Sequence, residues 1–225
     1  MVSTRDGGQQ WQDVSGQRFQ EFRFNNNRGY STDGTKFLRT DDGGRNWIEG
    51  EIPHIAFIRP MHFLTSEIGW IAGIDDKEFF VFRTTNGGRD WQESRTSTPA
   101  LLTAVQDLYF IDANRGWLLT WPNYDGGSYL YFTVDGGVHW IRDPDVSFQG
   151  KGRFATVARF TSAKNGFLFE HVANRNRLIY TTDGGAHWHQ QSMPQFISDC
   201  QVFNGELLCS GGIRSKMGVL TLHPK

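Results

Sequence analysis

The chain has 225 residues and a net charge of −1, enough length for one domain with a full core and too little charge to imply nucleic acid or a charged membrane surface as a partner. No apolar run approaches the ~20 residues of a membrane-spanning helix. With 26 glycines, 14% aromatics and no long Ala/Leu/Glu/Lys-rich runs, the composition favours many short strands joined by glycine turns.

The first element in the chain is also the one that recurs. Thr4–Trp11 has the skeleton Ser/Thr, any residue, Asp, Gly, Gly, two variable residues, Trp. The skeleton returns at Thr40–Trp47, Thr84–Trp91, Thr133–Trp140 and Thr181–Trp188, at intervals of 36, 44, 49 and 48 residues. Its acidic or amide residue is Asp6, Asp42, Asn86, Asp135 and Asp183, and its closing indole is Trp11, Trp47, Trp91, Trp140 and Trp188. A period of this size marks a repeat architecture. The short Asp or Asn acceptor bonds backbone N–H groups a few residues on and closes a turn. The Gly-Gly pair permits positive φ, and the Trp carries a large apolar area into a core. Each box therefore predicts a strand–turn–strand corner. Five near-identical copies cannot all be one active site.

Between boxes a second pattern repeats: a β-rich run ends in Phe, a polar turn follows, then Gly plus an aromatic, then another apolar run. It reads Phe24…Gly29-Tyr30, Phe63…Gly69-Trp70, Phe110…Gly116-Trp117 and Phe160…Gly166-Phe167. Third strands are expected at Phe79–Thr84, Ser128–Thr133 and Leu178–Thr182. Four antiparallel strands per unit at this period predict an all-β fold, a β-propeller of about five blades, with residues 1–225 as a single domain. Near the C-terminus strands are expected at Ile197–Phe203, Glu206–Ser210 and Val219–Leu222, with no following box, while the N-terminus has a box and an outer strand, Trp11–Val14. Joining the terminal strands closes the last blade. The alternative is a fragment of a six- or seven-bladed ring, because the chain opens almost inside a box and without an apolar signal core.

Asn204-Gly205 is a strong two-residue hairpin signal. Such a turn pairs 203 with 206 and sets Cys200 directly opposite Cys209 at a non-hydrogen-bonded pair. A disulfide there implies an oxidising compartment; two reduced core thiols are the alternative.

Binding loops are expected at the rim opposite the corners. They are Gly73–Glu78, with Asp75, Asp76 and Lys77; Thr120–Gly127, with Trp121, Asn123, Tyr124 and Asp125; Glu170–Arg177, with His171, Arg175 and Arg177; and Gly211–Lys216, with Arg214 and Lys216. Trp121 and Tyr124 suit an interface anchor or a sugar-stacking platform, or packing against a neighbouring blade. Arg23, His62, Tyr109 and Arg159 each precede a blade Phe; alternation turns them away from it, toward a channel where they meet an anion or line a solvated wall. Other chemistry is weak. The cysteines lack zinc or redox spacing, His187 and His189 alone make a poor metal site, and Asp125-Gly126-Gly127 lacks the Lys and helix of a phosphate loop. Neither a cofactor nor a metal is expected.

The box resembles the Asp-box, or bacterial neuraminidase repeat, of sialidases, sortilin-type receptors and other propellers. The fuller pattern, carried best by residues 63–91 and 110–140, is similar to the photosystem II stability/assembly factor-like family of propellers. That resemblance implies a non-enzymatic, extracytoplasmic or lumenal scaffold holding a partner protein, without implying the photosystem itself. The alternative from the shared box is a carbohydrate-binding or sialidase-like glycosidase propeller. Such an enzyme is implied to need three arginines on a carboxylate, a Tyr–Glu nucleophile pair and an acidic catalyst. Phe57-Ile58-Arg59-Pro60 resembles its first arginine motif in a different order, and no Tyr–Glu pair is assignable.

Overall fold

The computed structural model describes residues 2–3, 9–10, 12–13, 21–25, 27–53, 56–74, 79–94, 105–120, 128–148, 153–172, 175–193, 199–203 and 206–210. They form strands joined by turns, with no helix among the described residues. Two compact units divide the chain, Met1–Glu93 and Ser94–Lys225.

In the first unit β1 (Val2–Ser3) pairs antiparallel with β2 (Gln12–Asp13). Blade I is β3 (Glu21–Asn25), β4 (Arg28–Thr32), β5 (Phe37–Thr40) and β6 (Ile48–Gly50). Blade II is β7 (Phe57–Phe63), β8 (Gly69–Ile74), β9 (Phe79–Thr84) and β10 (Gln92–Ser94), the last reaching the boundary. In the second unit blade III is β11 (Val105–Phe110), β12 (Gly116–Thr120), β13 (Ser128–Thr133) and β14 (Ile141–Phe148). Blade IV is β15 (Arg153–Phe160), β16 (Gly166–Val172), β17 (Arg175–Thr181) and β18 (His189–Met193). A hairpin of β19 (Asp199–Phe203) and β20 (Glu206–Ser210) follows. Every blade is a four-stranded antiparallel meander in which sequence neighbours are sheet neighbours.

The Phe and Gly of the second repeat pattern face each other across the first two strands: Phe63 with Gly69, Phe110 with Gly116, Phe160 with Gly166. A Cβ on Gly69 or Gly116 would lie 2.5 Å from the opposing ring, far inside van der Waals contact, so the glycine makes room for the phenyl group. The aromatic after the glycine then covers the next blade's Phe. Tyr30 stacks on Phe63 with ring centroids 3.5 Å apart, and Trp117 on Phe160 at 3.4 Å. Around these stacks each unit buries its own core: Tyr30, Phe37, Ile58, Met61, Ile71 and Phe82 in the first, and Trp117, Leu119, Leu130, Val146, Phe160 and Leu168 among others in the second.

The expected C-terminal hairpin register is met in the backbone: Phe203 opposes Glu206 and Cys200 opposes Cys209; β19 is described from Asp199 onward, and the expected start at Ile197 lies outside the described residues. The two thiols lie outside the described side chains, and the expected terminal strand Val219–Leu222 lies outside the described residues. One loop expectation is corrected. Pairing continues to Val172 opposite Arg175, so Glu170, His171, Arg175 and Arg177 belong to strands instead of a loop spanning 170–177; each continued pair satisfies backbone groups that a loop would leave open.

Candidate functional site

The corners are built alike. In each of the four described, the Thr hydroxyl donates to the Asp or Asn side-chain oxygen two residues on, at 2.7 Å from Thr40 to Asp42, 3.0 Å from Thr84 to Asn86, and 2.8 Å from Thr133 to Asp135 and from Thr181 to Asp183. The same hydroxyl accepts the N–H of the second glycine: Gly44, Gly88, Gly137 or Gly185. The Asp or Asn oxygen also accepts the backbone N–H four residues on, at 2.9 Å each time. Both glycines of each of these four pairs have φ between 72° and 96°, a region that costs a residue with Cβ. The first glycine's N–H donates to a carbonyl in the turn joining strands one and two of its own blade: Gly43 to Asn27, Gly87 to Glu67, Gly136 to Asn114, Gly184 to Lys164. Each corner thus clasps that turn.

These bonds set the acids' protonation. The N–H of Asn46, with the Thr40 hydroxyl and the Asn46 amide, holds Asp42 down at about 2. Burial pushes Asp135 up, but His139 and Thr133 outweigh it and bring it to about 2. The backbone N–H and ring of His187 hold Asp183 well below the usual carboxylate range. All three are anions at neutral pH and act as fixed acceptors. Asn86 accepts the same bonds from Thr84 and the Asp90 N–H with a neutral amide oxygen, while its NH2 donates to the Asp90 carboxylate, so the corner requires an oxygen and not a titrating proton.

Within each unit the seam between blades carries further polar contacts. In the first, Arg28 bridges to Asp41 (3.1 Å) and to Glu67, while Arg39 and Arg89 approach Asp41 at 2.6 and 3.8 Å. In the second, Asp107 of β11 holds Arg159 of β15 at 2.5 Å and accepts the N–H of Ala158. Asp107 follows an irregularity in the β11 pairing, where a bulge re-aims side chains. Trp188 donates its indole N–H to Asp143 at 3.0 Å.

The residues expected to bind fare unequally. Arg159 is corrected as an open channel residue: it is 9% exposed and committed to Asp107 and to the carbonyl of Ala158, because a charge at that depth requires a partner. Tyr109 likewise donates to the Phe160 carbonyl. Arg177 lies 3.9 Å from the fully buried Glu170 and donates to Gln190. Arg23, His171 and Arg175 stand on β3, β16 and β17, their side chains outside those described. Asp6, Trp11, Asp75, Asp76, Trp121, Tyr124, Asp125 and Arg214 lie outside the described residues. Asp42, Trp47, Asn86, Trp91, Asp135, Trp140, Asp183 and Trp188 stand at the four described corners.

Two surface features escape sequence reasoning. A groove of about 970 Å³ in the first unit runs between the outer strand of blade I and the corner of blade II, lined on one side by Ile48, Glu49, Gly50 and Glu51 and on the other by Asp90 and Trp91. In the second unit one corner exposes three aliphatics, Val134 at 61%, Val138 at 46% and Ile141 at 52%. The equivalent positions in blade II hold Thr85, Arg89 and Gln92. Among the described residues no group of three or more His, Cys, Asp or Glu could hold a metal ion, and no helix is long and apolar enough to cross a membrane.

No family model matches the chain, and no curated protein is significantly similar to it. Solved structures do resemble it. YCF48 from Cyanidioschyzon merolae is 14% identical, with 93% of this chain and 85% of that chain covered, at a TM-score of 0.54. An ancestral GH74 enzyme is 16% identical, with 83% of this chain and 27% of that chain covered, at 0.62. A third, YCF48 bound to D1 peptide, is 18% identical over 93% and 81% of the two chains, with a TM-score of 0.46 too low to carry an assignment. Likeness at these identities concerns the fold, and with the four-stranded blades it makes this chain an all-β protein of the β-propeller class.

Proposed function

We propose that the chain is an Asp-box propeller that acts without catalysis, as a scaffold binding another protein, similar to the photosystem II assembly factor-like propellers. The observation that carries this reading is the corner chemistry. The most repeated acids bond their own turns, hydrogen bonding makes them stronger acids where a general acid needs to be a weaker one, and Asn86 replaces one of them without changing the geometry. What differs between blades is the exposed surface: charged in the first unit, aliphatic at one corner of the second. Varied exposed chemistry on a repeated frame suits recognition.

The test is a photo-crosslinker placed at exposed positions of the full chain in its native cells, beside a glycan array and a panel of glycoside hydrolase substrates. The scaffold reading expects a discrete crosslinked protein and blank glycan and hydrolase screens; turnover lost on changing Arg59 would reverse it. The direct opposition of Cys200 and Cys209 in the backbone supports a second proposal, a disulfide and an extracytoplasmic setting. Intact mass with and without reductant decides it, since two free thiols in oxidatively prepared protein would leave it without support.

A further inference from the structure

The groove in the first unit has the makings of a peptide site. One wall is β6, the last strand of its sheet: it pairs with β5, and among the described residues no strand pairs with its other edge, which leaves the backbone donors and acceptors of an edge strand there. Ile48 is 48% exposed. The facing wall is the corner of blade II, with the half-buried indole of Trp91 seated edge-on to Phe37 at 5.0 Å and to Phe63 at 6.2 Å.

The charges in the groove do not cancel in place. Its three cations are taken: Lys36 by Glu49 at 2.8 Å, Arg39 by Asp41 at 2.6 Å, and Arg89 by the Asn86 carbonyl at 2.9 Å with Asp41 beyond. Of the three carboxylates, Glu49 is matched by Lys36. Glu51 and Asp90 have no cationic partner among the described residues; Asp90 accepts one bond, from the neutral amide of Asn86 at 2.7 Å. Two unmatched negative charges, an indole and the residues of β6 therefore line one cavity of about 970 Å³, a volume that suits a short segment of chain.

We propose that this groove binds an extended basic segment of the partner protein, added to the free edge of β6. Backbone hydrogen bonds to β6 give it register, and alternate side chains turn toward the opposite wall. Its Lys or Arg side chains meet Glu51 and Asp90, and its apolar ones cover Ile48 and the rim of Trp91. This rests on the protein-binding reading and adds where and by what chemistry the partner docks.

The probe is a fluorescein-labelled peptide of alternating arginine and valine, titrated against the full chain by anisotropy. Beside it run a glutamate–valine counterpart, a peptide of the same composition with its arginines and valines in separate blocks, and a neutral xylose- and glucose-based oligosaccharide. The alternating basic peptide should bind, the acidic and block peptides should bind far less, and hydrogen exchange of the β6 amides should slow on binding. E51Q/D90N preserves side-chain shape and should weaken the basic peptide about tenfold, a loss near 1.4 kcal/mol, with circular dichroism and melting unchanged. Equal binding by wild type and E51Q/D90N, or β6 exchange untouched by peptide, overturns the groove proposal and leaves the scaffold reading intact if a crosslinked partner is found. Saturable binding of the oligosaccharide in place of the peptide overturns both.

Discussion

Tyr30 of blade I lies on Phe63 of blade II, and Trp117 of blade III lies on Phe160 of blade IV, with nearly equal ring separations. Beyond these stacks the two seams differ. In the first unit, Gly50 stands three residues after the corner Trp, and a Cβ there would meet the Phe37 ring at 2.8 Å. Phe37 fills that space and seats Trp91 edge-on, whose indole N–H has no acceptor among the described residues. In the second unit the same place holds Asp143, which takes the indole N–H of Trp188, and Asp107 and Arg159 add a buried ion pair. The first unit keeps its ions at the surface, around Asp41. One frame thus closes by dispersion in one unit and by desolvated hydrogen bonds in the other, and these respond differently to mutation and to pH.

The largest effect tests what the seams share. Phe160→Ala should cost about 4 kcal/mol and Phe63→Ala, less deeply buried, about 3, measured by urea unfolding; a loss confined to one unit would break the equivalence of the stacks. Asp107→Ala strands Arg159 in the interior and should cost about 3 kcal/mol. The double variant D107A/R159A should recover part of that, whereas additive losses would mean the pair does not act as one. Asp143→Ala leaves the Trp188 N–H and the Val146 N–H without this acceptor and should cost about 2 kcal/mol, read from melting of a variant whose Trp188→Phe partner shows little further loss. The smallest effect is acid sensitivity. Asp135 has its ionisation depressed in the folded state, so its stabilisation is complete above the unfolded value near 4 and drains away as pH falls through about 2. Solvent screening at this exposed site limits that to about 1 kcal/mol. Asp135→Asn should flatten the acid limb of the stability curve, and Asn86→Asp should steepen it; no change in either slope would detach the corners from acid stability.

Much of the frame was legible in the residues because its causes are local. A turn that needs two left-handed positions shows as Gly-Gly, and a Phe that needs room shows as a glycine across the strand pair. The hairpin around Asn204-Gly205 follows from its turn type, so its register could be counted outward. The seams were less legible because they depend on neighbours about 50 residues away. Nothing beside Asp107 or Arg159 in the chain says that they meet, and Arg159 reads as a channel residue until Asp107 is set beside it. The strand ends at Val172 and Arg175 were missed because the polar run His171–Arg177 carries turn-like composition while its backbone keeps pairing. The groove was invisible for the same reason: Glu51 and Asp90 look like ordinary turn acids until two blades bring them to one cavity.

The bond from the first corner glycine to the turn between strands one and two has a consequence for the spacing of the copies. It pins two bends of a blade together at one end by a single N–H, at 2.7 to 2.9 Å in all four cases. Length cannot be added there without breaking the clasp. Growth and shrinkage from copy to copy, from 36 to 49 residues, are therefore driven to the unclasped end and to the links between blades. That end is free to diversify while the other stays uniform.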